Sequence, residues 1–152
     1  MLVLKDIAAL KAAQGQTIKT TSPFELTQDL VNTFAEATKD FQWIHTDPER
    51  AKKESPFGEA IAHGFFSLSL LPKFIEESIN VESVKMGVNY GLNKVRFPSH
   101  VPVGSQLSCT TLIKTVEDHA QGGVKVTWES TVTREGSEKP VCVGEFLTLM
   151  FE

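Results

Sequence analysis

Residues 61 to 74 read Ile-Ala-His-Gly-Phe-Phe-Ser-Leu-Ser-Leu-Leu-Pro-Lys-Phe, and this stretch decides the fold. Its large apolar residues recur three or four positions apart, which is the period of an α-helix. They cover so much of the circumference that we predict a helix buried in the core. Pro72 removes a backbone donor inside this pattern, so the helix is expected to kink there or to end near Leu71.

The chain after residue 84 changes to a period of two, which is typical of β-strands. Four strands are predicted there, and glycine-containing turns at 121–123 and 135–138 suit antiparallel hairpins. The alternation changes phase near Asn93, which indicates a bulge. With a further strand over 16–21, the layout is α+β: a curved antiparallel sheet wrapped around the long hydrophobic helix.

Composition limits the class of protein. The 152 residues contain 41% hydrophobic residues and no linker or repeat, which predicts a single domain over 1–152. A net charge of -4 argues against nucleic acid as a partner. No apolar run approaches the ~18 residues that span a membrane, and no secretion signal is recognisable. Cys109 and Cys142 lie far apart and are expected to be buried reduced thiols, so we predict a cytoplasmic protein.

Polar residues that could carry chemistry concentrate between 38 and 48. Thr27 can cap a short amphipathic helix that is expected to run to about Lys39. On a continuous helix Asp40 and His45 would point about 140° apart. If the helix instead ends near Asp40, the chain can fold back and bring both side chains to one cavity. A carboxylate and an imidazole there could hold one water for addition to a polarised double bond. The alternatives are a solvated acid and a purely structural histidine.

Two further candidate site residues, His63 and Gly64, lie where the buried helix begins. The backbone N–H of Gly64 has no partner within a helix that starts there, and the missing Cβ admits the close approach of a ligand oxygen. The alternative is that Gly64 only lets the helix pack against the sheet. His63 is expected to be structural rather than catalytic.

Other kinds of site are disfavoured by spacing. No H-x-x-H, H-E-x-x-H or Cys-His pattern is present, so no metal is expected. Ser67 and Ser69 lack the G-x-S-x-G turn of serine hydrolases, and we expect each hydroxyl to bond to a backbone carbonyl one turn earlier.

The stretch Asp40-Phe-Gln-Trp-Ile-His45, followed by Asp47-Pro48 and then by Pro56-Phe-Gly-Glu-Ala-Ile-Ala-His-Gly64, resembles the MaoC-like dehydratases, also called hydratase 2 enzymes, in order and spacing. Three further segments resemble the branch named after nodulation protein N, and the resemblance covers nearly the whole chain. They are Gln42-Trp43, Ser69-Leu-Leu-Pro72 and Gly87-Val-Asn-Tyr-Gly-Leu-Asn-Lys-Val-Arg-Phe-Pro98.

The resemblance implies a hot-dog fold, a homodimer, and reversible hydration of a trans-2-enoyl-CoA to the (3R)-3-hydroxyacyl-CoA, with no metal or redox cofactor. It makes Asp40 and His45 the catalytic pair and the Gly64 amide the donor to the thioester oxygen. The commoner family pattern has Asn-Pro in place of Gln42-Trp43, so the preferred acyl chain stays open. The further candidates for contact with the substrate are Gln42, Trp43, Phe57 and His63.

The sequence is compatible with more than one carrier and more than one function. The acyl carrier is either coenzyme A or an acyl-carrier protein. A hot-dog domain can also serve as a non-catalytic acyl-thioester-binding subunit, against which the intact Asp40 and His45 argue. A hot-dog thioesterase would use the same substrates but would not need this pair.

Overall fold

The computed structural model describes all 152 residues, which form short helices, four very short strands and four long ones. The helices are α1 (Ile7–Ala12), α2 (Gln28–Thr38), α3 (Trp43–Thr46), α4 (Pro48–Glu54), α5 (Gly64–Ser69) and α6 (Leu71–Ser78). The strands are β1 (Leu2–Leu4), β2 (Thr17–Lys19), β3 (Phe24–Glu25), β4 (Ile79–Val81), β5 (Met86–Arg96), β6 (Gln106–Asp118), β7 (Val124–Arg134) and β8 (Cys142–Phe151).

The main sheet is antiparallel and has the order β2-β6-β7-β8-β5, with β3 also paired to β6. The four predicted C-terminal strands are therefore confirmed. Gly122, Gly123 and Gly136 adopt positive φ in the turns that were predicted from their glycines. The expected irregularity lies between Leu92 and Val95 of β5. A short parallel pair of β1 with β4 was not predicted, because three-residue strands carry too little periodicity.

The central helix is divided into α5 and α6 at Leu70, and Pro72 stands in the first turn of α6. A proline there destabilises the helix little, because the N–H groups of the first turn have no intrahelical acceptor and no hydrogen bond is lost. The break therefore precedes the proline, and the helix restarts with it.

The prediction that this helix is buried nearly all round was wrong. Phe66, Leu70 and Phe74 form the buried row, whereas Phe65 is 69% exposed. Ile61 is buried but not helical, since it forms an isolated bridge with Pro102, so the helical pattern begins only at Gly64.

Helix α2 begins and ends as the sequence indicated. The Thr27 hydroxyl accepts a hydrogen bond from the Leu30 N–H at 3.3 Å. At the other end Lys39 adopts the left-handed conformation with φ of 64°. A single left-handed residue reverses the chain after a helix, so Asp40 leaves the helix axis.

Two further sequence predictions concern the whole chain. Cys109 and Cys142 are buried and free, as expected. None of the helices combines the length and the apolar composition that crossing a bilayer requires.

The reversal at Lys39 can be tested by substitution, since its side chain is exposed. Lys39→Ile should lower the free energy of unfolding by about 1–2 kcal/mol, because a β-branched residue is strained in the left-handed region. Lys39→Gly should not lower it, because glycine adopts this conformation without a steric penalty. Urea unfolding measures both values. An equal loss in the two variants would show that the lysine side chain, and not the backbone conformation, is what matters.

Candidate active site

His45 lies on the short helix α3 and is buried, with 7% of its surface exposed. Its Nδ1 lies 2.6 Å from the carbonyl oxygen of Ile61. Because a carbonyl can only accept, Nδ1 carries the proton, and Nε2 keeps its lone pair when the ring is neutral. Two further hydrogen bonds hold this segment: the Ile61 N–H donates to Ile44 at 3.0 Å, and the Gln28 amide donates to the His45 carbonyl at 2.8 Å.

Burial lowers the pKa of His45 below its ordinary value, since desolvation penalises the charged ring. The hydrogen bond to Ile61 acts in the opposite direction, and the neighbouring His63 lowers the pKa further. Asp40 raises it to a smaller extent. The balance favours a neutral imidazole at neutral pH, which can accept a proton through Nε2.

Asp40 follows the left-handed Lys39, its side chain is about half exposed, and it does not line the cavity described below. One carboxylate oxygen accepts a hydrogen bond from the Gln42 N–H at 3.3 Å, and the other lies 3.9 Å from Nε2 of His63. The Nε2–H of His63 donates to the Asp40 backbone carbonyl at 3.0 Å. His63 therefore holds the chain at Asp40, which agrees with the structural role expected for it.

The side chains of Asp40, His45 and His63 converge, and one polar atom of each lies within 4.8 Å of the others. A water that bonds to two acceptors at about 2.8 Å each spans about 4.5 Å between them. A separation of up to 4.8 Å between a carboxylate oxygen and a ring nitrogen of His45 accommodates one bridging water. The fold brings together the two residues that a continuous helix would have separated.

The same three groups form a candidate metal-binding set, but the two rings are badly placed for it. His45 and His63 are stacked, with centroids 3.8 Å apart and 27° between their planes. Imidazole nitrogens coordinate in the plane of the ring, so lone pairs on stacked rings run side by side and do not converge. In each ring one nitrogen is also engaged with a backbone carbonyl.

His45 and Gly64 lie in the wall of one cavity of about 470 Å³. The Gly64 N–H, at the first position of α5, donates to no backbone carbonyl. A Cβ on Gly64 would lie 3.1 Å from the ring of Phe97. The missing side chain therefore serves packing against Phe97, while the N–H stays unused. The remaining lining residues are Phe57, Ile61, Ala62, Ser67, Pro98, Ser99, His100, Val101 and Val141.

The other residues predicted to contact substrate have different positions. Phe57 lines the cavity, where its ring centre is 4.6 Å from that of His100. Gln42, Trp43 and His63 do not line it: Gln42 is the N-cap residue of α3, and Arg50 covers the Trp43 ring at 4.3 Å. Their contact with substrate stays a prediction.

Sequence reasoning missed the wall formed by residues 97–101 and Val141. These residues are distant along the chain from Asp40 and His45. Phe97 and Pro98 end a segment that carries the family resemblance, but no local pattern marks any of these residues as part of a site.

A family model, curated relatives and a solved structure all relate the chain to one group of proteins. A model of the MaoC like domain matches residues 9–135. Over 145 residues the chain is 49% identical to 3-hydroxyacyl-thioester dehydratase Z of Mycobacterium tuberculosis, with 95% of each chain covered. It is 36% identical to nodulation protein N of Rhizobium meliloti, covering 96% of this chain and 89% of the relative. An R-hydratase structure from Pseudomonas aeruginosa matches with a TM-score of 0.75 over 97% of this chain and 86% of that one, at 24% identity.

The curved antiparallel sheet on its central helix is thus a hot-dog fold. The chain belongs to the MaoC-like family of hydratases and dehydratases, in the branch that contains nodulation protein N. It is a hydro-lyase.

The neutral state of the His45 ring predicts how the rate of hydration depends on pH. If Nε2 of His45 accepts a proton from water during catalysis, hydration of a 2-enoyl thioester should fall in acid, because a protonated ring can accept no further proton. Burial lowers the pKa of His45, so the acid limb of kcat/KM should have its midpoint below the ordinary histidine value of about 6.5. The measurement is kcat/KM from acid to mildly alkaline pH. A midpoint at or above about 6.5 would contradict a role of His45 as the group that accepts the proton.

Proposed function

We propose that the protein is an (R)-specific trans-2-enoyl-thioester hydratase that also catalyses the reverse dehydration of 3-hydroxyacyl thioesters. The observation that supports this most strongly is that the Asp40 carboxylate and a ring nitrogen of His45 lie within 4.8 Å of each other, while the hydrogen bond of Nδ1 to Ile61 leaves Nε2 of His45 as the acceptor. The unused N–H of Gly64 borders the same cavity as His45. The 49% identical relative is named as a dehydratase of 3-hydroxyacyl thioesters. A 3-hydroxyacyl thioester is also the product of the hydration that we propose for this chain.

In this proposal Asp40 and His45 hold one water through its two hydrogens. One of them takes a proton as the water oxygen bonds to C3 of the enoyl group. The double-bond electrons move toward the thioester, whose carbonyl oxygen accepts the Gly64 N–H as it gains negative charge. The Asp40–His45 pair then delivers a proton to C2, so both residues return to their starting protonation states, the hydroxyl of the water stands on C3 and its other hydrogen is balanced by the one added to C2. Dehydration runs through the same steps in reverse.

Two alternatives make different predictions. A non-catalytic thioester-binding subunit would bind an enoyl-CoA without changing it. A thioesterase would release a free thiol, which a thiol reagent detects. The carrier in the cell, coenzyme A or an acyl-carrier protein, is decided by comparing kcat/KM for the same acyl group on both. A cytoplasmic location stays a prediction.

We also propose a homodimer, which the edge of the sheet supports. Strand β5 pairs only with β8, so its other edge is free over 11 residues. Met86, Val88, Tyr90 and Leu92 alternate along it, and each is more than 40% exposed. A long apolar free edge is a site of association in water unless a partner covers it. A second copy offers the same edge and gives a closed two-fold arrangement.

The dimer should be sensitive to charge on β5. The parent protein should have the mass of a dimer by light scattering at micromolar concentration. Val88→Arg combined with Tyr90→Arg should shift it toward monomer, because burying two unpaired charges is unfavourable. Val3→Arg, at an exposed apolar position on β1, is the matched control and should stay dimeric. A monomeric parent would contradict the proposal.

The catalytic pair is tested by near-isosteric substitution. Asp40→Asn and His45→Gln should each lower the turnover of crotonyl-CoA by about 10²-fold or more, as general acid-base groups do. The double variant should lose far less than the product of the two losses, since both residues act on one water. The measurement is the disappearance of enoyl thioester absorbance, with a check for free thiol.

The controls are Asp29→Asn on the exposed face of α2 and His119→Gln in the turn before β7, which should keep full activity. Circular dichroism and the melting temperature establish that each variant is folded. Folded Asp40→Asn and His45→Gln proteins with parental turnover would show that this pair is not catalytic.

A further inference from the structure

Ser67 differs from the other serines of the central helices. The hydroxyls of Ser69 and Ser78 each donate at 2.7 Å to the carbonyl one turn earlier, as expected for serine in a helix. Ser67 is fully buried, yet its Oγ has no hydrogen-bond partner. The prediction that Ser67 bonds back to the preceding turn was therefore wrong. Buried hydroxyls without a partner are uncommon and call for a physical reason.

The backbone explains why the usual partner is not used. The carbonyl one turn before Ser67 is that of His63, which already accepts the N–H of Phe66 at 3.0 Å and the N–H of Ser67 at 3.4 Å. The hydroxyl is thus left unpaired by its own helix. Because Ser67 lines the cavity, its hydroxyl is available to donate a hydrogen bond to a bound ligand.

Ser67 and Gly64 are three residues apart on α5, so they lie on one face of the helix. Side chains on a helix lean toward its N-terminus, which directs the Ser67 hydroxyl toward the turn that begins at Gly64. Both residues line the cavity that also contains His45. Two unused donors, the Gly64 N–H and the Ser67 hydroxyl, therefore border one cavity.

We propose that Ser67 is a second donor to the thioester carbonyl oxygen, beside the Gly64 N–H. This inference rests on the proposed hydratase function. As the water oxygen bonds to C3, the electrons of the C2–C3 double bond shift and the carbonyl oxygen becomes an enolate oxygen. Ser67 keeps its own proton throughout and donates a hydrogen bond that strengthens as this charge grows. The charge returns to C2 when C2 takes up its proton.

A donor of this kind acts in the transition state more than in the substrate complex. Ser67→Ala should therefore lower kcat by about 10- to 100-fold and leave KM nearly unchanged. The same substitution should not lower the melting temperature, because it removes a buried polar group that has no partner. Ser78→Ala is the matched control, since Ser78 is also buried but its hydroxyl is bonded within its own helix. It should keep the parental kcat.

A direct readout comes from butyryl-CoA labelled with ¹³C at the thioester carbonyl. This saturated thioester cannot be hydrated, so its carbonyl stretch can be recorded in the bound state by infrared difference spectroscopy. Two donors lower the stretching frequency more than one. The band should lie at lower frequency in the parent than in Ser67→Ala, and Ser78→Ala should match the parent.

The outcomes separate the two proposals. A parent protein that does not hydrate enoyl thioesters removes the proposed function itself. An active parent, together with a Ser67→Ala variant that has parental kcat and an unshifted carbonyl band, overturns the role of Ser67 and leaves the hydratase intact. A Ser67→Ala variant that loses kcat only together with a lower melting temperature and an unshifted band also overturns it, because the hydroxyl then serves folding.

Discussion

The hydrogen bond from Nδ1 of His45 to the Ile61 carbonyl is the constraint on which the rest of the site depends. It joins the short helix α3 to the segment that enters α5, and the Ile61 N–H returns a bond to the same helix. It also fixes which ring nitrogen is protonated, and so leaves Nε2 as an acceptor. Position, orientation and proton state of the imidazole thus follow from one contact with the backbone.

Much of this arrangement is predictable from local sequence signals, and the rest is not. The end of α2 near Lys39, the antiparallel strands and the turns at Gly122 and Gly136 each follow from a short pattern that carries its own physical cause. The buried face of the central helix was misjudged, because burial depends on the sheet that covers the helix and Phe65 faces away from it. Parts of the chain distant in sequence, such as Val141, complete the cavity without any local signal.

The candidate site also concentrates the polar groups that the fold leaves unpaired. Nδ1 of His63 and the hydroxyl of Ser67 are both buried without a partner. Such groups reduce stability, and proteins depart from local rules of this kind mainly at functional sites. His63 contributes through its other nitrogen, which holds the backbone at Asp40. Ser67 has no such contact, and it lines the cavity instead.

The most direct measurement is the tautomer of His45, recorded by ¹⁵N NMR on protein labelled at the histidine ring nitrogens. The hydrogen bond to Ile61 predicts a neutral ring at neutral pH with a protonated Nδ1 and a bare Nε2. Comparison with the spectrum of His45→Gln assigns the signals. A ring protonated on both nitrogens, or one with its single proton on Nε2, would contradict the mechanism, because Nε2 could then accept no proton from the bound water.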